Sequence, residues 1–133
     1  YMEASIKEHG RKFFIRDADN IRQAQAVVVL GTRLGNMNMN CGYCGFPTCA
    51  EKDLHEGLPC AFPLNDLGIA IGSACATAAD CRVDTRVMFS AGTAAMQLGW
   101  LGAECKVAYA IPMSATGKNP FFDRVSTRPE LNH

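Results

Sequence analysis

The chain has 133 residues, 48% of them apolar, with 13 Lys+Arg against 13 Asp+Glu and seven cysteines. That length suits one domain, residues 1–133, which buries roughly two-thirds of its unfolded surface without disulfide staples. Zero net charge argues against a nucleic-acid clamp, which needs a basic excess or face, and no apolar run of about 18 residues exists to span a membrane.

Residues 2–9 read as a helix end closed by Gly10, and residues 12–15 as a short strand. Asp17 or Asp19 is placed to cap a helical turn through residues 21–24. The run Ala26-Val27-Val28-Val29-Leu30, ending at Gly31, predicts a strand buried on both faces, as in α/β sheets. Residues 32–40, rich in Gly, Asn and Met, lead into a cysteine loop. Residues 49–55 predict a short helix ending at Gly57. Pro59 and Pro63 are expected to hold Cys60 in extended chain, because each ring fixes its own φ and disfavours helix just before it.

Residues 64–79, LNDLGIAIGSACATAA, predict a helix capped by Asn65 or Asp66. It is small and apolar around its whole circumference, and so is expected to be buried. Gly68, Gly72 and Ala76 recur every four residues, which allows close approach of an internal element or of a second copy in a homodimer. Residues 86–90 read as a strand, 93–101 as a helix and 106–111 as a strand. Residues 112–133 form a polar, Pro-bearing, irregular tail. Strands alternating with helices predict an α/β or mixed α+β layer fold, a central sheet flanked by helices.

Seven is odd, so internal disulfides cannot account for every cysteine. The opening Tyr1-Met2-Glu3 lacks the basic flank and apolar stretch of a secretion signal. A chain that opens on tyrosine is also expected to be a piece of a longer one. The expected setting is reducing and cytoplasmic, where clustered cysteines bind metal or do redox chemistry.

Cys41-Gly42-Tyr43-Cys44-Gly45-Phe46-Pro47-Thr48-Cys49, and then Cys60, spell C-x2-C-x4-C-x10-C. Three close cysteines let one loop, within residues 36–63, wrap three corners of a compact cluster while a distant one closes the fourth. That is the logic of 4Fe–4S ligation. Gly42 and Gly45 permit positive φ and bring backbone N–H groups near sulfur. Pro47 stiffens the second arc, and Met37, Met39, Tyr43 and Phe46 are placed to shield the cluster.

Two competing readings fit this pattern less well. Structural zinc usually takes two separated C-x2-C pairs, and only one is present. A thioredoxin-type C-x2-C pair without metal leaves Cys49 and Cys60 without a role. Cys75 and Cys105 sit in apolar contexts and are expected to be buried thiols, whereas Cys81 is expected to be exposed or to face a partner. His9 and His55 read as surface residues, although His55 lies where it could replace a ligand. Arg82, Asp84 and Arg86 form a charge patch expected to pair structurally. No Ser-His-Asp order, Walker loop or G-x-G-x-x-G is present.

The CGYCGFPTC run with its further cysteine resembles the four-iron domain of corrinoid iron–sulfur proteins and ion-pumping electron-transport subunits, where the gap before the last cysteine is longer. Over a wider span, FFIRDADNIRQAQAVVVLG, NCGYCGFPTCAE, GIAIGSACATAADCRVDTRVMFSAG and IPMSATGKNPFFDR resemble the uncharacterised ferredoxin domain-containing family of bacteria and archaea. That resemblance implies a 4Fe–4S cluster, a further N-terminal segment absent from this chain, and no established reaction. The element order after the cysteine loop is similar to the second half of nitroreductase-like flavoproteins, which bind FMN between two subunits. On that resemblance the loop is an insertion after the strand at residues 26–30. Lys118 and Arg124 then become candidates for the flavin phosphate.

The leading expectation is an electron-transfer module with its cluster on Cys41, Cys44, Cys49 and Cys60. It would pass single electrons to a redox partner protein, a small-molecule acceptor or a second cofactor. The alternatives are an iron–sulfur flavoenzyme, acting as an FMN-dependent oxidoreductase, and a zinc-stabilised interaction domain.

Overall fold

The computed structural model describes Met2 and residues 13–123. Its helices are α1 (Phe13–Gln23), α2 (Cys49–Asp53), α3 (Ala61–Asp80) and α4 (Phe89–Gln97). Its strands are β1 (Ala26–Thr32), β2 (Asp84–Thr85) and β3 (Val107–Ser114). They form a three-stranded sheet in the order β1-β3-β2, and both pairings are antiparallel. The fold is therefore mixed α/β with a small antiparallel sheet, and the nitroreductase-like arrangement is not confirmed.

β3 takes the centre because it presents apolar or small side chains to both faces: Ala108, Ala110, Ile111, Pro112 and Ser114 are all buried. On one face Ala110 packs with Met88, Ala91 and Ala94, with Ala18 of α1 and with Met2, while Ile21 and Val29 flank the cluster. α4 lies on the strand backbone itself, since a Cβ added at Gly92 would stand 2.1 Å from the Ala108 carbonyl oxygen. Alternation along β1 turns Leu30 to the opposite face. There Leu30 borders a groove shared with Leu67 and Ala70 of α3.

Several expectations are corrected by packing that local sequence does not encode. α1 covers residues 13–15, where a strand was expected. Phe13 and Phe14 meet edge-on at 5.0 Å, and both contact Phe89 of α4, so this segment is committed to a helix–helix contact. Asp17 is consequently a buried member of α1 and not its cap.

β1 forms where expected but is an edge strand, with Val27 and Val28 39% and 37% exposed. α3 starts three residues earlier than predicted, at Ala61, with Cys60 as its extended N-cap (φ −70°, ψ 143°). Pro63 thus stands in the first helical turn, where its missing N–H has no intrahelical partner to lose. Asn65 and Asp66 fall inside the helix. Far from being buried all round, α3 buries only Leu67 and Ala78, and Ile69 is 71% exposed. A three-stranded sheet covers one side of a 20-residue helix and leaves the other open.

The strand expected at residues 86–90 is also displaced. Pairing with β3 involves only Asp84, Thr85 and a bridge from Met88 to Ala110, and α4 already begins at Phe89. Arg82 and Asp84 form no ion pair among the described residues, contrary to the pairing expected. Arg86 donates to the Phe121 carbonyl at 2.7 Å and lies 5.0 Å over the Phe122 ring. β3 runs on to Ser114 and so claims the start of the expected tail. The helix predicted at residues 2–9 lies outside the described residues apart from Met2, as do His9 and Arg124. Among the described residues, no helix is long and apolar enough to cross a membrane.

Candidate metal centre

The loop from Arg33 to Thr48 leaves the end of β1, carries Cys41 and Cys44 in a tight reversal and leads directly into Cys49. Gly42 and Gly45 adopt φ of 75° and 88°, as their sequence positions require, and the Gly45 N–H closes on the Gly42 carbonyl at 2.9 Å. Asn38 and Asn40 also take left-handed φ, 54° and 46°, a conformation that asparagine tolerates better than most residues. Asn40 then grips Cys49 from two sides. Its backbone N–H donates to Cys49 Sγ at 3.4 Å, and its side-chain oxygen accepts the Cys49 N–H at 2.8 Å. Sequence reasoning missed Asn40. The available signal was an asparagine directly before the first cysteine, in a segment already rich in turn formers.

Thr48 caps α2 by accepting the Glu51 N–H at 3.2 Å, which makes Cys49 the first residue of that helix. Below the loop, the Asn36 amide donates to Asp53 Oδ2, and Asn36 Oδ1 accepts the Asn38 N–H at 2.8 Å. Asp53 also holds the Lys52 ammonium at 2.8 Å, and Lys52 is only 6% exposed. The far cysteine sits at the start of α3, whose first N–H groups lack intrahelical partners. Two contacts bring the loop to it. The Cys60 N–H reaches the Leu34 carbonyl at 3.5 Å, and the Tyr43 ring stacks on Phe62.

All four candidate ligands are free thiols: Cys41 is exposed, Cys44 and Cys49 are half-buried, and Cys60 is buried. They are held by one loop and two helix starts. Among the described residues, no three His, Cys, Asp or Glu side chains converge as a single metal ion would require. The donor chemistry, the positive-φ glycines and an N–H already directed at a sulfur all fit a thiolate-bound iron–sulfur group.

The remaining candidates are placed as follows. Met37 and Met39, expected as shields, are 53% and 57% exposed. His55 is exposed, with its ring 5.0 Å from that of Phe46. Cys75 and Cys105 are half-buried, not fully buried as predicted, and Cys81 is exposed. Cys105 Sγ donates to the Val107 carbonyl at 3.5 Å. Lys118 lies in the exposed turn after β3, paired with Asp123 at 2.6 Å.

Residues 56–124 match the family described as "Uncharacterized protein containing a ferredoxin domain (DUF2148)". A curated relative from Archaeoglobus fulgidus, named only "Uncharacterized protein", is 42% identical over 127 residues, covering 90% of this chain and 68% of its own length. No solved structure matches. The family match takes in Cys60 and begins after Cys49, whereas the archaeal alignment is long enough to include the whole cysteine loop.

Proposed function

This chain belongs to the family of uncharacterized proteins containing a ferredoxin domain, and from that membership we propose that it is an electron-transfer protein. A ferredoxin domain implies an iron–sulfur cluster. The specific reading is a single 4Fe–4S cluster on Cys41, Cys44, Cys49 and Cys60. When bound, such a cluster accepts and donates one electron at a time, at a potential set by its surroundings.

One observation supports this reading most directly: the C-x2-C-x4-C loop turns on two positive-φ glycines and docks, through Tyr43, two residues beyond the fourth cysteine. The other residues of the site have supporting tasks. Asn40 orients Cys49 and directs an N–H at its sulfur. Asn36, Asp53 and buried Lys52 fix the base of the loop. The exposed side of Cys41 gives a redox partner protein or small acceptor a route of approach, within a reducing cytoplasm.

The flavoenzyme reading has less support where it places the flavin phosphate on Lys118, which is 77% exposed and already paired with Asp123. Anaerobic purification followed by iron and sulfide analysis tests the proposal. The expected protein is coloured, contains both elements, and bleaches on reduction. Colourless protein carrying stoichiometric zinc would overturn it.

A further inference from the structure

The cysteine loop shares a wall with an open groove of ≈1000 Å³. Leu34, whose carbonyl accepts the Cys60 N–H, lines this groove, and so do Pro63 and Leu67 of α3. With Leu30 they make an apolar floor that begins within one helical turn of Cys60. Four charged side chains border the floor: Arg33, Lys106, Asp66 and Glu104. Both signs line one groove, yet none of the four forms an ion pair with a described residue. Two cations and two carboxylates are thus available to a ligand. Gly35 also lines the groove, and a Cβ added there would meet nothing within 4 Å.

We propose that this groove binds a redox nucleotide, a molecule joining a planar heteroaromatic ring to a sugar or sugar alcohol and a phosphate. Each part has a complement. Arg33 and Lys106 match the phosphate, because a guanidinium and an ammonium are the usual charged donors to phosphate oxygens. Asp66 and Glu104 accept hydrogen bonds from sugar hydroxyls, as acidic residues do in dinucleotide sites. Leu30, Leu34 and Leu67 bury the ring. The volume lies at the top of the roughly 300–1,000 Å³ range of small-molecule sites, which suits a nucleotide and far exceeds a single ion. The ligand's role as electron-exchange partner rests on the cluster reading, whereas its binding does not require the cluster.

Flavin and nicotinamide nucleotides share this chemistry, so FMN and NADH are titrated separately into anaerobically purified protein and followed by fluorescence. Saturable binding of one of them is expected. The Arg33→Ala, Lys106→Ala double variant should weaken it by about tenfold or more through loss of both phosphate partners. Gly35→Leu should abolish it while leaving the visible spectrum unchanged, since the new side chain enters open space. Cys41→Ser should lose iron and keep nucleotide binding. Binding of neither probe, or binding that Gly35→Leu and the double variant leave intact, overturns the proposal. Iron-loaded protein that binds neither probe defeats this inference alone. Iron-free protein that binds one through the groove defeats the cluster reading alone.

Discussion

The ring of Tyr43 lies flat on that of Phe62, with centroids 5.6 Å apart and planes within 4° of parallel. Tyr43 stands between Cys41 and Cys44, and Phe62 follows Cys60 by two residues. The stack therefore links the three-cysteine loop to the helix that carries the fourth cysteine. Such aromatic pairs contribute about 0.5–1.5 kcal/mol beyond their buried area. Tyr43→Ala should lower the iron retained after anaerobic gel filtration, with little change in melting temperature because Tyr43 is 72% exposed. Tyr43→Phe keeps the ring and should retain iron normally. Equal loss in both variants would show that the stack has no part in holding the loop.

Serine substitution separates ligand cysteines from the rest. Cys44→Ser and Cys60→Ser should each lose most of the iron and sulfide, because a hydroxyl is a poor substitute for a thiolate at iron. Cys75→Ser, Cys81→Ser and Cys105→Ser should retain both. Cys60 is the informative case, being buried and serving as the N-cap of α3. Serine is itself a good N-cap, so Cys60→Ser should remain folded by circular dichroism while losing iron. Full iron content in that variant would remove Cys60 from the ligand set.

A buried polar contact joins α1 to α4 away from the metal centre. Ser90 Oγ donates to Asp17 Oδ2 at 2.5 Å, and the two residues are 0% and 4% exposed. Arg16 holds the other carboxylate oxygen at 2.8 Å. Ser90→Ala leaves the charge paired but strips one buried oxygen of its donor, a loss of about 1–3 kcal/mol. Urea unfolding should show this as a lower midpoint with an unchanged slope, and iron content should not move.

Glycines on different helices should respond in opposite directions. Gly92→Ala places a methyl 2.1 Å from the Ala108 carbonyl oxygen and 2.4 Å from its carbon. Both are backbone atoms of the central strand, so relief requires α4 to lift off the sheet, at a cost of about 1–3 kcal/mol. Gly72→Ala on α3 meets nothing within 4 Å. Its higher helix propensity should stabilise by up to about 1 kcal/mol. Thermal melts of the two variants side by side provide the check, and destabilisation by Gly72→Ala would show that the open face of α3 is covered in solution.

The cysteine loop was legible because its information is local. Gly42 and Gly45 permit positive φ by residue type, and the chain does turn there, since that conformation depends on steric freedom within one residue. The β-branched run of residues 26–30 and the segment 106–111 likewise read as strands and form β1 and most of β3. Asn40 was harder to see: its grip on Cys49 spans nine positions and depends on how the loop closes. The groove beside Cys60 was not legible at all, because its charges come from β1's exit, α3 and the approach to β3.

Sequence alone determined where thiols cluster, which glycines turn the loop, and that helices alternate with strands around a zero net charge. Those properties are set by residue type and close neighbours. Tertiary structure decided that residues 13–15 join a helix packed on Phe89, that β1 is an edge, and that an apolar 20-residue helix buries only Leu67 and Ala78. Burial is a relation between distant segments. A hydrophobic pattern records which surface would gain from being covered, and only the assembled sheet and helices show how much of it is.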